Sequence, residues 1–211
     1  LFPREFYEFD AQGKPVYYSP YNGKIQDGYM YTDNGFWDTF RAVHPLFTLL
    51  YPEVSERVTQ SILNAYDESG FMPEWASPGH RECMIGNNSI SLLTDAWMKG
   101  IRTICPEKAL EAMIHQTEAR HPGISSVGRD GFGYYDRLGY VPYPEVHEAT
   151  AKTLEYAYAD WCVARFADSI GRKEIADTYY RKALNYRNLY YPDYGFMWAK
   201  DANGKWRDAF D

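Results

Sequence analysis

The chain has 211 residues, a net charge of −7, and 45% hydrophobic against 24% charged residues, the balance of a folded domain rather than of a disordered segment. No apolar run reaches the ~18 residues that a membrane helix needs, and the acidic balance speaks against a nucleic-acid partner, which requires a basic face. Aromatic residues make up 18%; most belong in a core, but so many amphipathic rings also suit a cleft that meets a flat, hydroxylated ligand.

Residues 1–30 are rich in turns (Asp10-Ala11-Gln12-Gly13-Lys14, Ser19-Pro20, Asn22-Gly23), with Tyr17-Tyr18 extended between them, and read as a hairpin or extended arm. Helical periodicity begins after Asp33-Asn34, which can cap a helix. Phe36, Phe40, Val43 and Phe47 then share one face until Pro52 breaks the run near Leu50. A second helix is expected over 53–69, with Val54, Val58, Ile62 and Ala65 on its stripe and Gly70 closing it. The stretch 71–88 carries Pro73, Pro78, Gly79 and Gly86, and a loop of that length inside a domain is more often functional than idle. Helices follow over 89–104 and 107–120, then a second long loop over 121–146. A last helix pair over 148–170 and 172–190 is joined at Gly171, and Asp201-Ala202-Asn203-Gly204-Lys205 forms a tight turn. The fold class is mainly α. Three antiparallel helical hairpins with long loops occupy 31–190, flanked by the arm over 1–30 and a hairpin over 191–211, all parts of one domain spanning 1–211.

Cys83, Cys105 and Cys162 are an odd number without a C-x-x-C, so neither a disulfide framework nor a zinc ribbon is expected and the thiols read as buried. The chain opens on Leu1 with no signal-like segment and closes at Asp211 just past a turn, which suggests a piece of a longer protein. His80-Arg81-Glu82-Cys83 has the H-x-E half of a zinc deaminase but lacks the partner P-C-x-x-C. His147-Glu148 is not followed by the second His of a zinc protease, and the turn at 201–205 fails as a calcium loop because Lys205 stands where an oxygen ligand is required. Trp37, Asp38 and Arg41 crowd one helix start. Asp38 and Arg41, at i and i+3, either form a surface pair of little energetic weight or hold a carboxylate in place to grip vicinal hydroxyls.

Six blocks in one order resemble glycoside hydrolase family 92, the exo-acting bacterial α-mannosidases. Trp37-Asp38-Thr39-Phe40-Arg41 with Pro45-Leu46 is similar to its W-D-T-[YF]-R…P-L segment, and Gly70-Phe71-Met72-Pro73-Glu74-Trp75 to G-x-[LM]-P-x-W. Met84-Ile85-Gly86-Asn87-Asn88-Ser89 resembles M-I-G-[DN]-x-[SA], Asp95-Ala96-Trp97-Met98-Lys99-Gly100 resembles D-A-[YW]-x-K-G, and Gly139-Tyr140-Val141-Pro142 and the segment from Thr153 to Trp161 complete the series. The resemblance implies a central piece of an (α/α)6 toroid fused to an N-terminal β-sandwich. It also implies an inverting α-mannosidase, α-1,2 in linkage, acting on mannose-containing glycans in the periplasm or outside the cell. A calcium ion is implied, with ligands outside this chain.

The family's general acid and base lie in blocks beyond Asp211, so no catalytic residue is assigned here. Inverting hydrolysis needs two carboxylates about 6.5–9.5 Å apart, and Glu74, Glu82, Glu155 and Asp160, the local candidates, read as structural; Glu155 and Asp95 read as polar residues of the helical wall. The resemblance gives this chain part of the sugar site: Asp38 on mannose hydroxyls with Arg41 holding it, beside Trp37, and Trp75, Asn87 and Asn88 adding a stacking ring and amides. Two alternatives stand beside it, a noncatalytic helical-repeat interaction module and another toroidal sugar hydrolase of glucoamylase-like type. Half a toroid also leaves apolar helix faces uncovered, so the isolated chain is expected to show patches above ~400 Å² and to self-associate.

Overall fold

A computed structural model describes residues 2–208; Leu1 and residues 209–211, the end of the hairpin expected over 191–211, lie outside the described residues. Proline has no backbone N–H and its ring collides with the carbonyl four residues earlier, so a helix begun at Phe36 cannot run on through Pro45. The single helix expected up to Leu50 is accordingly two, α1 (Phe36–Thr39) and α2 (Val43–Leu50), with Pro45 in the first turn of α2. Neither Asp33 nor Asn34 caps α1; the cap position is Gly35, with no side-chain bond. Asn34 is buried instead, its Oδ1 accepting from Thr39 Oγ1 (2.8 Å) and from His44 Nε2 (3.1 Å). Burial pushes His44 down to about 4, so its ring is neutral and carries its hydrogen on the nitrogen that faces Asn34.

Helix α3 (Pro52–Ser69) starts with proline at its first position, where the missing N–H costs nothing, and Gly70 ends it. Helix α4 (Asn88–Met98) stops short of the expected 104, because Gly100 takes a left-handed conformation and Ile101 N–H bonds back to Ala96 O at 3.0 Å, closing the helix end. Helix α5 (Pro106–Glu118) follows. The stretch 121–146, read as loop, contains a short helix α6 (Phe132–Leu138), whose one buried side chain, Tyr135, leaves no periodic stripe to read. The last pair is α7 (Ala149–Ser169) and α8 (Lys173–Lys182), with a 3-10 turn over Asn185–Leu189 in place of the helix expected to reach 190.

The strands are short. β1 (Arg4–Phe6) pairs antiparallel with a later strand at 30–32, and β2 (Glu8–Phe9), β3 (Pro15–Tyr18) and β4 (Ile25–Asp27) form an antiparallel meander. The partner of β1 is β5 (Met30–Thr32); β6 (Asn34–Gly35) pairs with β7 (Trp75–Ala76), and β8 (Tyr190–Tyr191) with β9 (Phe196–Met197). The arm is fastened to α3 by Tyr17 and Ser19, which both donate to Glu68. At the other end, Asp201 N–H reaches Lys205 O at 2.9 Å in the expected tight turn.

Helices α3, α4, α5, α7 and α8 share one core that includes Ile62, Leu63, Ile90, Leu93, Met113, Val163 and Phe166, each such side chain contributing ~1.5–3 kcal/mol on burial. A smaller cluster of Tyr135, Val141, Val146, Ala149 and Tyr156 seats α6 on the start of α7. Of the cysteines, Cys162 is buried as expected, but Cys83 is half-buried and Cys105 is exposed, on the short link before α5. Apolar side chains are exposed along α2 (Leu46, Leu49, Leu50) and on α7 (Tyr158, Trp161). Among the described residues no helix is long and apolar enough to cross a membrane.

One ion pair lies wholly inside. Arg129, from the second long loop, is 1% exposed and Asp160, in mid-α7, 0%. Their closest atoms, an Arg129 terminal nitrogen and Asp160 Oδ1, are 2.8 Å apart but out of line for a hydrogen bond. Tyr135 Oη donates to Asp160 Oδ2 at 2.8 Å, Arg129 Nε donates to Asn87 Oδ1 at 2.7 Å, and the same terminal nitrogen of Arg129 donates to Tyr156 O at 3.1 Å. The guanidinium carbon sits 5.3 and 4.8 Å from the ring centres of Tyr135 and Tyr156. Asp160→Ala would strand the Arg129 charge in the core and is expected to lower unfolding free energy by ~3–5 kcal/mol. Lys99→Ala, which removes the exposed pair with Asp95, should change it by under ~1 kcal/mol. Chemical denaturation of the two variants checks the contrast.

Candidate functional site

The register Gly35↔Trp75 places the Trp75 ring over Gly35, where a Cβ would strike it, so the close approach requires glycine. Phe36 N–H, donating to Glu74 O at 3.1 Å, holds the start of α1 to the same segment. Asp38 and the Trp75 ring are therefore brought together around Gly35, with Trp37 and Arg41 on the neighbouring stretch of chain. Their partners differ from those expected. Arg41 does not pair with Asp38. Its guanidinium lies 4.7 Å from the Trp37 ring centre and 4.4 Å from that of Phe40, and it makes its ion pair with Glu155 Oε1 on α7 at 3.5 Å. Trp37 Nε1 donates to that same oxygen at 3.1 Å. The exposed Asp38 carboxylate has no hydrogen-bond or ion-pair partner among the described residues and lies alongside Gly35.

Asn87 and Asn88 sit at the start of α4, both buried. Asn87 is engaged at both ends, by Arg129 Nε and by Gly128 O, to which its Nδ2 donates at 3.1 Å. Asn88 Nδ2 donates to Ile85 O at 3.0 Å, while its Oδ1 is unengaged among the described residues. Gly86 brings this loop against α7. At φ +92° it occupies the left-handed region, and a Cβ there would lie 2.9 Å from Asn88 Nδ2 and 3.3 Å from Glu155 Oε2. Trp37, Glu155, Gly86 and Asn88 thus adjoin although they come from three distant segments. Beyond Gly86 a cavity of about 250 Å³ opens, with Glu82, Ser125, Asp130, Glu148, Lys152 and Tyr156 in its wall.

The four local carboxylates are each already engaged. Glu74 is 1% exposed and accepts at Oε2 from the N–H groups of Asn88 (2.6 Å) and Ser89 (3.3 Å), and at Oε1 from Ser89 Oγ (2.9 Å) and Gln116 Nε2 (3.1 Å). It therefore closes the exposed N–H groups at the start of α4. Burial pushes its carboxyl up to about 8, against the pull of those four donors. Glu82 is exposed and accepts from Ser125, whose hydrogen bonds hold it below the usual carboxylate range. Asp160 belongs to Arg129 and Tyr135. Glu155 stands on α7 and meets Trp37 and Arg41 across the gap to α1. That contact is formed between α1 and α7, and no local spacing announces it. Among the described residues no group of three His, Cys, Asp or Glu side chains is arranged to hold a metal ion.

Residues 1–211 match the glycosyl hydrolase family 92 catalytic domain. The whole chain superposes, at 82% identity and a TM-score of 0.98, on 29% of a family GH92 inverting mannosidase from Bacteroides thetaiotaomicron VPI-5482. Over 98% of its length it superposes, at 32% identity and a TM-score of 0.86, on 27% of another family GH92 alpha-mannosidase from Bacteroides thetaiotaomicron, also solved with mannoimidazole. An uncharacterised secreted glycosidase of Arthroderma benhamiae is 25% identical over 167 residues, which are 69% of this chain and 21% of that protein. The chain thus spans less than a third of the length of each of these relatives.

The Glu74 environment sets a pH dependence. Its folded value of about 8 lies above its ordinary value of 4.5, so the folded state binds the proton more tightly, and stability falls as pH rises from about 4.5 through 8. Urea unfolding of Glu74→Gln across that window should show a flatter pH profile than the parent. Parallel profiles would mean that the four donors keep Glu74 ionised throughout.

Proposed function

The chain belongs to glycosyl hydrolase family 92, and from that premise we propose that it supplies part of the sugar-binding wall of an exo-acting, inverting α-mannosidase, α-1,2 in preference, built on an (α/α)6 toroid. The single observation that carries this reading is the 82% identity, end to end, with an inverting mannosidase; the unpartnered Asp38 carboxylate beside Gly35 is consistent with it. Family membership displaces the helical-repeat module and the glucoamylase-like alternative.

In this reading water attacks the anomeric carbon of a terminal mannose in a single displacement. The two carboxylates that such a reaction needs come from outside the 211 residues, since Glu74, Glu82, Glu155 and Asp160 each serve a local partner. Asp38 accepts hydrogen bonds from two neighbouring sugar hydroxyls. Trp37 and Trp75 offer ring faces to the apolar side of the sugar, Arg41 adds a fixed positive charge, and the free amide oxygen of Asn88 accepts a further hydroxyl. Asn87 acts indirectly, by fixing Arg129 and with it the second loop. The calcium ion that the resemblance implies takes its ligands from elsewhere in the polypeptide, in keeping with the lack of any group of three His, Cys, Asp or Glu side chains among the described residues arranged to hold a metal ion. The exposed apolar faces of α2 and α7 receive the rest of the toroid and a β-sandwich domain, and the isolated segment self-associates through them. A periplasmic or extracellular setting is supported by the secreted relative.

The full-length protein is expected to release mannose from an α-1,2-linked mannobiose, with β-mannose the first anomer seen by proton NMR. Asp38→Ala removes charge-assisted hydrogen bonds worth ~3 kcal/mol and should lower kcat/KM by ~100-fold. Release of α-mannose first, or no release from any α-mannoside, would refute the reading.

A further inference from the structure

We infer that Glu155 is a positioning residue of the sugar site, whose carboxylate holds the Trp37 indole and the Arg41 guanidinium in the geometry that meets the sugar; this rests on the function proposed above. Glu155 and Trp37 are 118 residues apart in the chain, yet one oxygen, Oε1, takes the indole N–H at 3.1 Å and lies 3.5 Å from Arg41. Arg41 is in turn stacked on Trp37 and Phe40. An indole ring has two side-chain torsions to fix, and a hydrogen bond at Nε1 fixes the plane that stacking alone leaves free to rotate. Removing the carboxylate would therefore release a ring and a cation together.

The contact is not explained by stability. The Arg41 side chain is 49% exposed, and pairs that meet water at one end contribute ~0–1 kcal/mol. The core already has its own charge anchor in Asp160 and its own helix closure in Glu74, and neither involves Glu155. The surrounding chain is nonetheless shaped to admit it. Gly86, in a left-handed conformation, leaves open the space that a Cβ would take 3.1 Å from Glu155 Cβ and 3.3 Å from its Oε2. The Glu155 side chain is 19% exposed, and Oε2 has no partner among the described residues. One oxygen is thus committed to holding Trp37 and Arg41, while the other faces the loop that carries Asn88.

The test uses the full-length protein with α-1,2-mannobiose as substrate. Glu155→Leu is expected to raise KM at least about tenfold, with the thermal midpoint shifted by less than ~3 °C. Glu155→Gln keeps an acceptor for the indole but loses the charge that faces Arg41, and should raise KM about threefold. In a Trp37→Phe background the Glu155→Leu effect should shrink, because its main partner is gone. Damage that merely unfolds part of the sample lowers apparent kcat and leaves KM unchanged, so an unchanged KM in a folded variant overturns the inference. If Glu155→Leu does not fold, the KM of Glu155→Gln decides. The indole N–H resonance of Trp37, assigned by its loss in Trp37→Phe, gives a readout without catalysis. It should move upfield in Glu155→Leu, and an unmoved resonance overturns the inference. Wild-type protein inactive on every α-mannoside would instead refute the functional reading, and the resonance would then decide this inference alone.

Discussion

A carboxylate without access to water must be met by donors or by a counter-charge, and Asp160, in the middle of α7, imposes that demand on everything around it. Arg129 meets it from a loop that has little regular structure of its own. Once Arg129 is drawn in, its remaining N–H groups require acceptors, and they take Asn87 Oδ1 and Tyr156 O. Tyr135 completes the carboxylate and closes one face of the guanidinium. One buried charge thus ties the second loop, the start of α4 and α7 into a single unit. The smaller core of Tyr135, Val141, Val146 and Tyr156 packs around it.

The site is built on that frame by a second buried acidic side chain. Glu74 closes the start of α4 while its own backbone carbonyl receives the first N–H of α1. The two helix starts that carry Asp38 and Asn88 are in this way referred to one residue, and Gln116 on α5 steadies it by bonding Met72 N–H, Met72 O and Glu74 Oε1. Nothing in this scheme requires the loop 71–88 to be regular. It has to deliver Glu74, Trp75, Gly86 and Asn88 to their places, and its prolines and glycines shape a path no helix or strand would follow. Polar groups held in this way are positioned before a ligand arrives, which reduces what binding must spend on ordering them.

Several features were legible in the sequence for plain physical reasons. The stripe Val54, Val58, Ile62, Ala65 and the stop at Gly70 located α3 almost to the residue, because an amphipathic period and a left-handed cap are both local signals. The gathering of Trp37 and Asp38 at one helix start is legible for the same reason, whereas Arg41 lies past the end of α1. The break before Pro45 is equally local, but the apolar spacing across it is consistent with one helix and masks it. Helix α6 carries too few buried positions to set a period. Ile101 and Ile104 are buried and continue the apolar pattern of α4 beyond its end, so that end is not marked by periodicity.

By itself, the sequence determined the place of the long helices α3, α5 and α7, that aromatic and acidic residues gather at one helix start, and, through six ordered blocks, which family the chain resembles. These are matters of short-range periodicity, caps and recurring residue strings. The partner of each polar group was decided only by the tertiary structure. Arg41 pairs with Glu155 and not with Asp38, and Glu74 closes a helix fourteen residues further on. Asp160 is a charge anchor, and Glu155 reaches across from α7 to Trp37 and Arg41. Spacing along a helix tells which residues share a face, but a hydrogen bond or ion pair goes to whatever donor the packing of distant segments brings within about 3 Å. The choice between a carboxylate that serves the fold and one that serves the site is made there.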